Sequence, residues 1–186
     1  MGSLGREVAK QVATLLGFRL LWRELVDEAA ARAEVPELAL AAVDELNLLD
    51  LCPSPDACRS YLAAMQEILL NLASQGGVVL VGRAGMAVLH ATPGVTHILV
   101  TAPLEIRIQR IAASQSIPPE CAREQVLASD GFRHHFMKKY YHLRWDDPAM
   151  YDLVINSAHI TPAVAANLVV QTLEAEISRP RQYSTS

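Results

Sequence analysis

The sequence predicts an α/β fold: a three-layer arrangement with a parallel sheet in the middle and helices on both faces. Three observations carry it. Short apolar runs rich in β-branched residues, such as Val78-Val79-Leu80-Val81, are bounded by turn signals as buried parallel strands are. These runs alternate with segments of helical periodicity, an order that implies right-handed crossovers. The chain also opens on a glycine-rich turn, Gly2-Ser3-Leu4-Gly5-Arg6-Glu7, that runs straight into a helix. In such sheets ligands bind beyond the carboxyl ends of the strands.

The elements follow in order. Val8, Val12 and Leu15-Leu16 recur at helical spacing, and Gly17 stops that helix. Phe18 to Trp22 reads as a short strand. Arg23 to Ala33 is Ala-rich and helical, and Pro36 opens a further helix through Glu45 because its fixed φ suits a first turn. Cys52-Pro53-Ser54-Pro55 is a loop, and Ser54 caps a long helix from Asp56 to about Ser74. Gln75-Gly76-Gly77 ends that helix, and Val78 to Val81 is the next strand. Gly82-Arg83-Ala84-Gly85 follows at its carboxyl end, then a short helix to about His90. His97 to Thr101 is a third strand and Leu104 to Ala113 a helix. Pro118-Pro119 opens a longer helical region through about Tyr141. Asp152 to Asn156 is a fourth strand, and Thr161 caps the last helix with Pro162 at its first position. Residues 1–178 are expected to form one domain and residues 179–186 a frayed tail.

Composition narrows the function classes. The 186 residues suffice for one sizeable core, and 51% hydrophobic content with 5% aromatics suits helices packed on a sheet. A net charge of −4 gives no global attraction to nucleic acid or anionic lipid. No apolar run nears the ~20 residues that span a bilayer, and the charged start shows no signal-peptide pattern. The expectation is a cytoplasmic protein with neither nucleic acid nor membrane as a partner. Cys52, Cys58 and Cys121 fit neither a disulfide framework nor a zinc spacing, so reduced thiols are expected. Charge is unevenly placed: residues 107–144 carry seven Lys/Arg against three acids, +4 against −8 for the remainder. A basic stretch on an acidic body points to a phosphorylated ligand.

The opening turn points the same way. A glycine-rich turn feeding a helix aims backbone N–H groups and the positive end of the helix dipole at an anion. In the full phosphate-loop arrangement a strand precedes the turn and a lysine after the second glycine reaches the outer phosphates. Here Arg6 holds the lysine place, Glu7 holds the Ser/Thr place, and the turn has no strand ahead of it. Each of these residues also has a structural reading. The turn alone is a helix cap, Arg83 a salt-bridge partner, and Arg107 and Arg110 share one helix face that solvent could cover. His134, His135 and His142 stand at no metal spacing and read as surface residues, and no metal site is expected. Tyr140 and Tyr141, beside Lys138, divide between base stacking and core packing, and Asp152 reads as a cap on its turn.

Taken in order, Gly-Ser-Leu-Gly-Arg-Glu-Val-Ala, Val-Gly-Arg-Ala-Gly after a strand, Ala-Pro-Leu-Glu-Ile-Arg-Ile-Gln-Arg-Ile, Asp130-Gly-Phe-Arg133 leading to Lys138-Lys139-Tyr140-Tyr141, Trp145-Asp146-Asp147-Pro148 and Tyr151-Asp152-Leu153-Val154-Ile155-Asn156 resemble the cytidylate-kinase-like family, a branch of the P-loop nucleoside monophosphate kinases. The resemblance runs from Gly2 to about Leu173. It implies a P-loop kinase-like domain with a mobile lid at about residues 107–144, and ATP with Mg2+ as cofactor. It implies phosphoryl transfer to a CMP-like nucleotide. By that resemblance Gly2, Ser3, Gly5 and Arg6 hold the donor phosphates, and Arg83 contacts the acceptor monophosphate. Arg107 and Arg110 open the lid, and Asp130 and Arg133 lie on its return, with Asp130 on the acceptor side. Arg6, Arg107, Arg110 and Arg133 form the catalytic set. Such a set suits phosphoryl transfer, which needs positioning and dispersed positive charge more than covalent help.

This chain departs from the family in three places. Leu4 stands where glycine is usual, Trp22 stands where an acid usually precedes Arg-Glu, and the central first strand is missing. Deleting that strand leaves two neighbours with unpaired backbone groups, at roughly 1–3 kcal/mol for each buried one. Three outcomes are open: a start upstream of Met1, which is the simplest; a strand supplied by another chain, most simply in a twofold homodimer; or closure of the neighbouring strands. Two functional readings follow, an active kinase and a non-catalytic kinase fold that binds nucleotide or protein.

Overall fold

The computed structural model describes residues 1–22, 24–34 and 54–177. Helix α1 (Gly5–Leu16) presents Val8 and Val12 on one buried face, and Gly17 ends it at φ +66° with its N–H on the Ala13 and Thr14 carbonyls. Strand β1 (Arg19–Leu21) leads to α2 (Glu24–Arg32), which buries Leu25, Val26, Ala29 and Ala30. Helix α3 (Pro55–Gln75) starts where expected, the Ser54 hydroxyl accepting the Ala57 N–H at 3.1 Å. Strand β2 (Val78–Leu80) and the short helix α4 (Gly85–Val88) flank Arg83. Strand β3 (Ile98–Thr101) is followed by α5 (Leu104–Gln115) and α6 (Pro119–Tyr141), then a 3-10 turn at Pro148–Met150. Strand β4 (Leu153–Asn156) and α7 (Pro162–Ile177) complete the order, with Thr161 Oγ1 accepting the Val164 N–H at 3.4 Å. The helix expected at Pro36–Glu45, the Cys52-Pro53 part of the loop and the tail at 179–186 lie outside the described residues.

The fold is mixed α/β, and it corrects the expectation of one continuous sheet. The described strands form two separate parallel pairs, β1–β2 and β3–β4. Their registers show which groups are used. Arg19 N–H bonds the Gly77 carbonyl and Val81 N–H the Leu21 carbonyl, so the peptide groups of Val78 and Leu80 point away from β1. Leu153 N–H bonds the His97 carbonyl and Ser157 N–H the Thr101 carbonyl, so those of Ile98 and Val100 point away from β4. Both sets of strand residues line one cavity of about 880 Å³ between β2 and β3. Closure of the neighbouring strands is therefore not what the fold does.

The physical reason lies in the packing above the gap. Val8 and Val12 of α1 share one apolar cluster with Val79 of β2, Ile98 and Val100 of β3, Ile155 of β4, and Ala165, Ala166 and Val169 of α7. A helix is about 10 Å across, so α1 reaches both strands at once and bridges the gap between them. On the opposite side of β2, Val78 and Leu80 pack with Leu25, Val26, Tyr61, Met65, Ile68 and Leu69 of α2 and α3. Helices thus cover both faces of β2. A third cluster, Ile108, Ile111, Ala122 and Val126, joins α5 to α6.

Two local features also differ from expectation. Cys58 is disulfide-bonded while Cys121 is free and exposed, so the thiols are not all reduced. Asp152 does more than cap a turn: its carboxylate accepts the His97 N–H at 2.6 Å and fixes the start of β3 beside that of β4. The open edges make a prediction for amide exchange measured by NMR. The Leu80, Ile98 and Val100 amides should exchange about tenfold or more faster than the bonded Val81 and Ser157 amides. Equal protection would show that the edges are paired in solution.

Candidate functional site

The opening turn is held against α5. Gly2 adopts φ +77°, and a Cβ there would lie 2.7 Å from the Arg107 carbonyl oxygen, so only glycine fits. Leu4 takes the left-handed conformation, φ +62°, that glycine would adopt without strain. The turn therefore keeps its shape despite the branched side chain. Helix α1 starts with no side-chain cap, which leaves its first-turn N–H groups for water or an anion. Residues Gly2 to Val8 all line the cavity, at the end reached by the residues following β2.

Five arginines surround this turn, each held differently. Arg6 lies flat on the Trp22 indole, its guanidinium carbon 3.4 Å from the ring centroid. No carboxylate of the described residues is within ion-pair distance of Arg6. Arg133 sits over Trp145 at 4.7 Å. Arg83 is 8% exposed in a turn where both it and Ala84 have positive φ, so the chain folds tightly between β2 and α4. Arg110 donates to the Gly2 carbonyl at 3.2 Å, to Ser157 Oγ at 2.9 Å and to the Ser157 carbonyl at 2.7 Å. Ser157 Oγ in turn donates to the Ser3 carbonyl at 2.8 Å. Arg107 forms a bidentate pair with Asp130 at 2.9 and 2.7 Å, joining α5 to α6.

Of the residues expected from sequence, Gly2, Ser3, Gly5, Arg6, Arg83, Arg110 and Arg133 line the one cavity. Arg107 and Asp130 do not line it; they face each other as an ion pair beside it. Sequence reasoning did not pick out Ser157 or Tyr61, and it gave Trp145 only as part of a family motif, with no role at the site. Ser157 carries no signal of its own, being a serine after a strand, and only the fold brings it to Arg110 and Ser3. Tyr61 looks like one apolar position among many on α3, yet it lines the cavity next to Arg83. Burial pushes its phenol up to about 12, with the Arg83 charge pulling the other way. Burial also raises Tyr141 and Tyr151, so all three phenols on the cavity are neutral donors at physiological pH. Tyr140 stacks on Phe136, and His134, His135 and His142 are exposed. Among the described residues no three His, Cys, Asp or Glu converge as metal ligands, and no helix is long and apolar enough to cross a membrane.

The arrangement can bind and position phosphates: backbone donors at a helix N-terminus, a buried arginine at the end of β2, and further arginines on the facing helices. Comparison with known proteins points to the same chemistry. The profile of the cytidylate kinase-like family matches residues 1–159. A cytidylate kinase from Ignicoccus hospitalis is 28% identical over 177 residues, covering 92% of this chain and 94% of that protein. A uronate isomerase from Corynebacterium glutamicum is 35% identical over 123 residues, 62% of this chain, and the match spans only 24% of that protein's length. The crystal structure of an uncharacterized protein from Eubacterium ventriosum superposes with a TM-score of 0.72 at 18% identity, covering 94% of this chain and 93% of that one. At that identity the likeness is one of fold.

The strain at Leu4 is testable. A left-handed non-glycine residue costs about 1–2 kcal/mol, part of which glycine's extra freedom in the unfolded chain offsets. Leu4→Gly should therefore raise stability by about 1 kcal/mol in urea unfolding. A loss of stability would mean that Leu4 packing outweighs the backbone term.

Proposed function

The chain belongs to the cytidylate kinase-like family, and on that premise we propose that it transfers a phosphoryl group from ATP to a CMP-like nucleoside monophosphate. The observation that carries the reading is the shared cavity: an uncapped glycine turn with Arg6 at one side and the buried Arg83 at the other. In this reading the domain is P-loop kinase-like, covering residues 1–178, with the α5–α6 hairpin as its lid. The donor triphosphate lies along Gly2, Ser3, Gly5 and Arg6, where α1's first N–H groups supply hydrogen bonds that carry no mobile charge. The acceptor monophosphate lies at Arg83, whose planar fork suits two phosphate oxygens at once.

Arg133, held over the Trp145 face, supplies charge from the lid side. Arg110 acts as a positioning group, tying the Gly2–Ser3 turn to Ser157 at the end of β4. Arg107 and Asp130 hold the two lid helices together, so Asp130 serves the acceptor side by placing α6. Magnesium would be carried chiefly by phosphate oxygens and water, and the chemistry it would supply is neutralisation of charge on the phosphates.

A second reading, a kinase fold that binds nucleotide without transferring phosphate, is favoured by one observation. The strand pair on each side of the cavity is unjoined, so the donor and acceptor halves are tied through α1 rather than through one sheet. Incubation with ATP, Mg2+ and each nucleoside monophosphate, followed by chromatography, separates the readings. The kinase reading expects a diphosphate product, with CMP among the best acceptors. ATP binding by calorimetry with no product from any acceptor would leave the binding module. In the active case Arg83→Ala should raise the acceptor KM about tenfold or more while changing the ATP KM little. Equal change in both would remove Arg83 from the acceptor site.

A further inference from the structure

We infer that Tyr61 is an acceptor-binding residue, its phenolic O–H donating to an oxygen of the same monophosphate that Arg83 engages; the inference rests on the acceptor reading above. Tyr61 sits in the middle of α3, 2% exposed, with its ring packed among Leu25, Val26, Met65 and Leu89. Ring burial of this kind is ordinary core packing, and phenylalanine would supply it equally well. The hydroxyl is what needs an explanation. Tyr61 Oη is buried and has no hydrogen-bond partner among the described residues, although buried phenols almost always find one. Tyr61 and Arg83 both line the cavity.

The groups facing it limit what can satisfy it. Arg83 comes from the β2–α4 turn, Asp27 from α2 and Tyr141 from the end of α6. Of these, Arg83 has the largest electrostatic influence on the phenol. Because the phenol holds its proton to about 12, it is a donor at physiological pH. The unpartnered O–H calls for a ligand atom that accepts a hydrogen bond, and the positive charge of Arg83 favours one that is negative. A phosphate oxygen meets both demands. A base carbonyl or a ribose hydroxyl meets only the first, and a cation meets neither.

Tyr61→Phe removes one oxygen and keeps the ring, so the two roles of the residue give opposite signs. Without its unsatisfied hydroxyl the ligand-free variant should melt at the same temperature as wild type or higher. Its affinity for CMP by calorimetry should fall about tenfold, the size expected for one hydrogen bond to a charged group, while its affinity for ATP stays within twofold. Stabilisation of the variant by inorganic phosphate in a thermal shift should weaken in parallel. A lower melting temperature without ligand would show that the hydroxyl serves the fold, and unchanged CMP affinity would show that it does not reach the phosphate; either result overturns the inference. Wild-type protein that binds no nucleoside monophosphate would instead overturn the acceptor reading itself, and Tyr61's role would fall with it.

Discussion

Helix α1 spans two strand pairs that share no hydrogen bonds. Val8 and Val12 share one apolar cluster with Val79 of one pair and with Ile98 and Val100 of the other, and the cavity lies between those strands. The same helix carries the glycine turn at its N-terminus, so one element both bridges the sheet halves and places the turn's backbone donors. Its C-terminal end is fixed equally firmly, because Gly17 turns the chain at once into β1. Movement of β2 relative to β3 is therefore coupled to movement of the turn.

The turn has a second anchor at its other end. Arg110, Ser157 and the carbonyls of Gly2 and Ser3 form a closed set of hydrogen bonds among α5, the end of β4 and the chain start. The Arg110 guanidinium donates to the Gly2 and Ser157 carbonyls, and such charge-assisted bonds are stronger than neutral ones. Gly2 is pressed so closely onto the Arg107 backbone that a side chain cannot enter. Arginine thus serves two purposes around the turn: Arg107 and Arg110 hold structure together, whereas Arg6 rests on the Trp22 indole with no carboxylate of the described residues paired to it.

Legibility from sequence followed the range of the interactions involved. The helix and strand assignments within the described residues held to within a few residues, since caps such as Ser54 and Thr161, stops such as Gly17 and apolar runs such as Val78–Val81 act over one or two turns of chain. Arg83 and the glycine turn were also legible, because a residue at a strand's carboxyl end is placed by the sheet rule alone. The pairing of Arg107 with Asp130 was not. Those residues stand on two helices whose mutual docking depends on Ile108, Ile111, Ala122 and Val126 interlocking.

By itself the sequence determined the order of elements, the family, and a concentration of phosphate-binding residue types along one end of the strands. Those features depend on local hydrogen-bond patterns and on the periodicity of apolar residues. Tertiary structure alone decided that the described strands stand in two pairs, that Ser157 latches the opening turn, and that the Tyr61 hydroxyl is buried with no hydrogen-bond partner among the described residues. Each of those facts is a distance between residues remote in sequence. Such distances are set by how α1, α3 and the strands pack, and no single segment of the chain encodes them.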